Sequence, residues 1–444
     1  MHRREVLKLT AAAAALAGCG SARPTAATPS AVAASTPPQV TASVVTRWDT
    51  DEWALGSYSA LPPGTPYWVR EELGKAVIKG RILLAGEYTA TDYASTVHGA
   101  YLSGERAARR LLDQIPDAQS VLVVGAGVAG LRAAGILAKA GRTVTVVEAR
   151  DRVGGRLWTD YSTGVPLEKG AAWIHGITGN PLVAVAKAAG LSLVTTDYED
   201  SVARDYKTGQ PAAGTRAAAA QLWPHLAAIG TRKPPEPRSA AKALRQRGWR
   251  ADTAARKLVQ HSEFDLEYGL PPARLGAQAL WEGKAYRGVD QLVQGGYMKV
   301  AEYLAQGLDV RLNSPIERLE VDEAVRAGTL SADAAIVAVP VAVLQQDRPS
   351  LPWPAWLRKY LDSLATGNLE KVFLEYDRAW WPQRQVLEIT NAPGLRWSEW
   401  YNLVPLVDAA HIFGFCGGRS APTRPGQDSA LVSQAQLVLE NAYR

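Results

Sequence analysis

The chain's clearest apolar run, Val121-Leu122-Val123-Val124, leads straight into Gly125-Ala126-Gly127-Val128-Ala129-Gly130, after which the period changes. An alanine-rich stretch through Lys139 reads as a helix, with Gly141 placed to cap it. A second β-forming run then ends at Glu148. Strand, glycine turn, helix, strand and acid make a complete βαβ unit of the dinucleotide-binding type. In such a unit Gly125 permits the tight turn, Gly127 lets a pyrophosphate approach the backbone, and Gly130 lets helix pack on strand. The helix N-terminus offers unpaired N–H groups and a positive dipole end to phosphate, and Glu148 offers a carboxylate to a ribose hydroxyl pair.

On either side the pattern continues. Arg81-Ile82-Leu83-Leu84-Ala85-Gly86-Glu87 reads as a short buried strand closed by a glycine and an acid. Thr96 to Gly104 opens a helix in which Ala108, Leu111, Leu112 and Ile115 fall at i, i+3, i+4 and i+7, and Pro116 ends it. Residues near 200 to 280 are helical by pattern, and Ala335 to Val339 is a buried parallel strand by composition. From Gly367 to Pro382 the chain reads as a strand with Lys371 between Leu369 and Phe373 on one face. A lysine on an apolar face costs desolvation unless something holds it.

With 444 residues the chain can bury the cores of two domains. The net charge of +6 is scattered, with no basic stripe interleaved with aromatics, so nucleic-acid binding is not indicated. Arg3-Arg4 ahead of a weakly apolar run has the twin-arginine pattern, and Leu16-Ala17-Gly18-Cys19 reads as a lipobox. The expectation is a signal over residues 1–19, a flexible Ala/Pro/Ser/Thr tether over 20–43, and export as a folded protein. Cys19 would then anchor it by lipid on the outer face of a bacterial cytoplasmic membrane. Cys416 is the other cysteine, so neither a disulfide framework nor a CxxC metal site is expected.

The βαβ unit continues as Glu148-Ala149-Arg150-Asp151-Arg152-Val153-Gly154-Gly155-Arg156, which resembles the FAD-containing amine oxidases. Three further stretches resemble the C-terminal end of polyamine oxidases and flavin-dependent lysine demethylases: Arg47-Trp48-Asp49 with Gly56-Ser57-Tyr58-Ser59 and Pro62-Pro63-Gly64, Arg81 to Thr89, and Thr96 to Ala108. In those enzymes they close the chain; here they precede the glycine unit. The C-terminal Leu437 to Arg444 resembles the helix that comes before them in relatives. A circular permutation accounts for this order, with the old ends fused through residues 115–120. It requires the helix ending near Ile115 to stop beside the first strand of the βαβ unit.

The resemblance implies an α/β, two-domain amine-oxidase fold. Residues 44–200 and 281–345 would form the Rossmann-type FAD domain, 44–115 supplying the family's C-terminal segment, and 201–280 with 346–444 the substrate domain. It implies non-covalent FAD, since Ser57 stands where some monoamine oxidases carry the linking cysteine. The implied cofactor residues are Gly125, Gly127, Ala129, Gly130, Glu148, Ala149, Arg150, Gly155, Arg156, Glu87, Thr96 and Val97. Gly170, Ala171, Ala172 and Trp173 join them from a segment, through Asn180-Pro181, that in relatives lines flavin and substrate tunnel. For catalysis it implies Lys371, bonded through water to flavin N5; His175, facing the amine; and Tyr58, one aromatic wall. The second wall of monoamine oxidases falls at Thr96, so a two-sided cage is not expected. Ser95 replaces a common glycine, and Lys169 stands where relatives are apolar.

The reaction so implied moves a hydride from the carbon beside the amine nitrogen to FAD, with hydrolysis of the imine and dioxygen giving peroxide. The substrate would be a polyamine or another primary or secondary amine. An L-amino-acid oxidase or other FAD oxidoreductase is the enzymatic alternative, the former needing an arginine clamp for the carboxylate. A non-catalytic binding lipoprotein on the same fold is the other. Oligomeric state is left open.

Overall fold

The computed structural model describes residues 38–229, 237–282, 284–421 and 428–444; the signal and most of the tether, Cys19 included, lie outside them. The strand Ser120–Val124 owes its unbroken apolar run to burial inside a six-stranded sheet. The spatial order is Asp309–Arg311, Thr143–Val147, Ser120–Val124, Ala334–Val337, Ile82–Leu84, Val77–Ile78. Every pair is parallel except the last, a hairpin at the edge. Thus Ile82–Leu84, which precedes the glycine unit in the chain, is built into the same sheet beside Ala334–Val337.

The helices Val97–Gln114 and Val128–Lys139 pack against one another over this sheet. Their approach is close: a Cβ on Gly104 would stand 2.0 Å from the Ala129 carbonyl oxygen. In the first helix Ala108 and Leu111 are buried and Leu112 and Ile115 are half-buried, as the spacing demands. The connector to Ser120 is held by one carboxylate. Asp333 Oδ2 accepts from the backbone N–H of Gln119 (2.9 Å) and Ser120 (2.8 Å) and from the Ser120 hydroxyl (2.8 Å). The helix Val97–Gln114 thus leads into Ser120–Val124 through a short, held connector.

A second six-stranded sheet has the order Val40–Val45, Leu369–Tyr376, His411–Gly417, Glu399–Asn402, Val386–Thr390, Ser201–Asp205. Two sequence expectations change here. Residues 40–43 are strand rather than tether, and with 44 and 45 they belong to this sheet, not to the FAD-side domain. They pair with Leu369–Tyr376, Val44 opposite Phe373, supplying that long strand with a partner on its otherwise open side. Residues 201–205, expected to be helical, form the opposite edge strand, parallel to Val386–Thr390. A smaller sheet joins the two bodies. In it Gln291–Gln294 pairs antiparallel with both Ser192–Thr195 and Trp173–Ile174, Gln291 standing opposite Ile174.

Candidate active site

A large cavity runs from the glycine turn into the second sheet, enclosing about 2210 Å³ of empty space including its open mouth. At the turn, Gly125 adopts φ 103°, and a Cβ on Gly130 would sit 2.0 Å from the Gly125 carbonyl oxygen, so helix and turn touch backbone to backbone. Gly127 is different: a Cβ there meets nothing within 4 Å, because the cavity lies in front of it. Gly127 is also the N-cap of Val128–Lys139 and provides no side-chain hydrogen bond, leaving the first-turn N–H groups for a ligand. Glu148 is buried at the end of Thr143–Val147, its Oε2 accepting from Ala126 N–H (2.7 Å) and its Oε1 from Arg150 N–H (3.0 Å). An open glycine, a free helix N-terminus and a carboxylate one strand away fit a dinucleotide.

All the cofactor residues implied by the sequence line this cavity except Gly130, whose part is packing. Arg150 contributes through its position rather than a free charge, since its guanidinium is bound to Asp51 (2.9 Å from Nη1 to Oδ2). Glu87 and Arg156 meet at 3.0 Å, and Glu87 also accepts from Ser59 N–H (3.2 Å) and Ser95 N–H (3.0 Å). Burial alone would raise the Glu87 pKa. The charges of Arg156 and Arg70 and the Ser59 hydroxyl outweigh it and hold the carboxyl below its usual range. Thr96 is the N-cap of Val97–Gln114, accepting from Gly99 N–H at 2.9 Å, which fixes the turn carrying Thr96 and Val97 into the cavity wall.

Lys371 is the third residue of the eight-residue strand Leu369–Tyr376, and is buried. What holds it is backbone: Nζ donates to the carbonyl oxygens of Glu168 (2.7 Å) and Gly170 (2.6 Å). Desolvation lowers its pKa, and the nearby Glu168 charge opposes that shift. The ammonium lies 5.9, 5.4 and 5.7 Å from the ring centroids of Trp173, Phe413 and Phe415. Lys169 sits 3.6 Å over the Trp158 ring and 3.7 Å from Asp160, so its charge is held on the surface of the site by a ring face and a carboxylate.

Tyr58 lines the cavity with its hydroxyl donating to Leu266 C=O at 2.9 Å. Thr96 gives no second wall, but Trp173, Tyr401 and Phe415 also line the cavity. Tyr401 is edge-on to Trp173 at 5.1 Å and to Phe415 at 5.6 Å. His175 lines the same space beside Trp173, the rings 6.5 Å apart and 19° from parallel. Its Nδ1 is 2.9 Å from Asp290 Oδ2, which also accepts from the Tyr198 hydroxyl at 3.2 Å. Asp290, Tyr198, Glu399, Tyr401 and Phe415 are cavity residues that the sequence reading missed. The strand pattern around Phe415 marks its burial, but no local signal marks the others as site residues.

A Rossmann-type sheet, a dinucleotide cradle and a lysine-bearing aromatic cavity define a two-domain flavoprotein. The model of the flavin containing amine oxidoreductases matches residues 27–112 and 128–439, and the chain belongs to that family. FAD is the cofactor this cradle fits. The chain is 32% identical over 313 residues to probable polyamine oxidase 4 of Arabidopsis thaliana, covering 60% of either protein. It is 30% identical over 315 residues to polyamine oxidase 3 of Oryza sativa subsp. japonica, covering 64% of this chain and 65% of that one. The match thus spans less than two thirds of these relatives' length. Among solved structures, a putrescine oxidase redesigned in its cofactor binding superposes with a TM-score of 0.59 at 25% identity, over 73% of this chain and 82% of that one.

Proposed function

We propose that the protein oxidises a small amine, a polyamine or another primary or secondary amine, with dioxygen as acceptor. Bound FAD would take a hydride from the carbon beside nitrogen, and water would complete hydrolysis of the imine. The chain's own part is to orient the amine, exclude bulk water and manage protons. The observation that carries the reading is the joining of the cofactor cradle at Gly127 to an aromatic cavity holding Lys371 and His175. Tyr58, Trp173, Tyr401 and Phe415 offer ring faces to a cationic amine, and Glu399 and Glu267 line the same space with carboxylates. Non-covalent FAD follows from Ser57, whose hydroxyl donates to Leu369 C=O at 3.0 Å.

An amino-acid substrate is less well served. Arg150, Arg156 and Arg348 are the arginines among the described cavity residues. The first two are engaged by Asp51 and Glu87, and the third is exposed beside Pro349. The testing experiment is peroxide release by purified, flavin-loaded protein across polyamines, monoamines and amino acids, with Lys371→Met alongside. Peroxide from amino acids alone, or a colourless protein that takes up no FAD, removes the reading.

We infer also that the gene order is permuted. The family match falls into two stretches whose break, residues 113–127, contains the Asp333-held connector, and Ile82–Leu84 completes the sheet of the later glycine unit. Export and lipid anchoring at Cys19 are proposed from residues 1–19 alone. Cell fractionation of the full chain against Cys19→Ala tests this, with a soluble wild-type protein as the contrary result.

A further inference from the structure

Asp290 directly precedes the strand Gln291–Gln294, and that strand's register sets Gln291 opposite Ile174, so Asp290 comes to lie across from His175. Its place is fixed on every side. Its backbone carbonyl accepts from Thr196 N–H at 3.0 Å, its Oδ1 accepts from Gly176 N–H at 2.9 Å, and its Oδ2 takes the Tyr198 hydroxyl and faces His175 Nδ1. We propose that Asp290, braced by Tyr198, is a positioning residue that makes His175 Nε2 the proton acceptor for the substrate's ammonium. This rests on the amine-oxidation reading above.

The tautomer follows from the partner. Burial pushes the Asp290 pKa up, but the His175 charge and hydrogen bond, with the Gly176 N–H and the Tyr198 hydroxyl, hold it down to about 2. An ionised carboxylate only accepts, so the nitrogen facing it carries the proton and the neutral ring keeps its lone pair on Nε2. The side chain is 32% exposed and lines the cavity, so that lone pair is within reach of a ligand.

Other titratable groups on the cavity are already committed. Glu399 accepts from the Ser262 hydroxyl (2.6 Å) and the Tyr401 hydroxyl (2.7 Å). Lys371 donates to two carbonyls, and Tyr58 donates to Leu266 C=O. Glu267 stands on the same wall as Leu266. In the step, an N–H bond of R–CH2–NH3+ breaks and an Nε2–H bond forms. The amine gains the lone pair that makes its neighbouring carbon a hydride donor, and the new imidazolium rests against the Asp290 carboxylate.

The test is the anaerobic rate of flavin reduction by an amine in Asp290→Asn and Tyr198→Phe, from pH 7 to pH 10, beside 15N NMR of the His175 ring. In Asp290→Asn the rate at pH 7 should fall by roughly 10²-fold or more. The deficit should shrink steadily as pH approaches about 10, where roughly a third of an alkylamine is itself neutral. Tyr198→Phe, which keeps the carboxylate, should show a smaller loss with the same pH dependence. The NMR should show the proton on Nδ1 in wild type and on Nε2 in Asp290→Asn. A deficit that is constant with pH, or a wild-type proton on Nε2, overturns the proposal. A wild-type protein whose flavin no amine reduces overturns the amine reading and this proposal with it, and is recognised because every variant is then equally silent.

Discussion

Arg156 Nη1 donates to Glu87 Oε1 at 3.0 Å, joining the last residue of the glycine fingerprint to a short 3-10 turn, Glu87–Thr89, encoded ahead of it. The pair also fixes Ser59 and Ser95, which bond Glu87, so one carboxylate ties three stretches of the cofactor wall together. Because the Glu87 pKa is depressed in the folded state, its contribution to stability is complete above its unfolded value near about 4.3. That contribution is lost as pH falls through the lower folded value. Urea titrations from pH 7 to pH 3 should show a steep acid loss in wild type and a shallower one in Glu87→Gln. The variant should be less stable at neutral pH by roughly 3 kcal/mol, since Arg156 loses the carboxylate it is paired with. Equal acid slopes would rule out this linkage.

Two glycines three positions apart, Gly127 and Gly130, separate ligand from packing. Gly127→Ala places a methyl in open cavity, so the apoprotein should melt within about 1 kcal/mol of wild type while FAD affinity falls at least about tenfold. Gly130→Ala drives a methyl into the Gly125 carbonyl oxygen, and should cost several kcal/mol and lose soluble protein. Thermal melts of apoprotein and fluorescence titration with FAD measure both. The same order of effects in the two variants would deny Gly127 its place against the cofactor.

The contrast shows why the cradle was legible in the sequence. Gly125, Gly127 and Gly130 act within one turn, and Glu148 follows on the next strand, so local sterics write the pattern. Lys371 was legible too, as a charge on an apolar strand that needed a partner, though the partners, two carbonyls near Glu168, were not. The substrate end is of another kind. His175 and Asp290 are 115 positions apart and meet through a strand register, and Tyr401 reaches Trp173 only after the second sheet has formed. Likewise Val40–Val45 has too weak a pattern to read as strand until Leu369–Tyr376 is there to pair with it.

Lys371 carries a pH signature of the same sign as that of Glu87, in a more alkaline window. Burial lowers its pKa in the folded state, so the unfolded chain binds more protons between that depressed value and about 10.4. Stability should therefore rise with pH across this window, by at most about 1.4 kcal/mol per unit for one proton. Glu168, whose pKa burial raises, acts in a more acidic window and with the opposite slope. Lys371→Met should flatten the rise between pH 8 and pH 10. Its neutral-pH stability should stay within about 2 kcal/mol, because lost desolvation offsets two carbonyls left without a donor. Unfolding free energies at three pH values in that range decide the matter; parallel curves would count against a depressed Lys371.

Ser95 stands in a backbone conformation that a glycine would adopt without strain. It holds φ at 61°, in the left-handed region, while its N–H bonds Glu87 Oε2 at 3.0 Å and its hydroxyl bonds Ser59 C=O at 2.5 Å. Left-handed backbone disfavours a side chain by roughly 1–2 kcal/mol, and the hydroxyl's bond returns about 1 kcal/mol. Ser95→Gly loses the bond and the strain together, so its stability should match wild type to within about 1 kcal/mol. Ser95→Ala keeps the strain without the bond and should fall by about 1 kcal/mol. Ser95→Val adds a β-branched side chain to a backbone that rejects it and should fall furthest, by roughly 2 kcal/mol or more. Flavin retention should follow the same order, because the Ser95 N–H helps place Glu87 against Arg156. If thermal melts put the glycine variant below the alanine one, left-handed strain does not govern this turn.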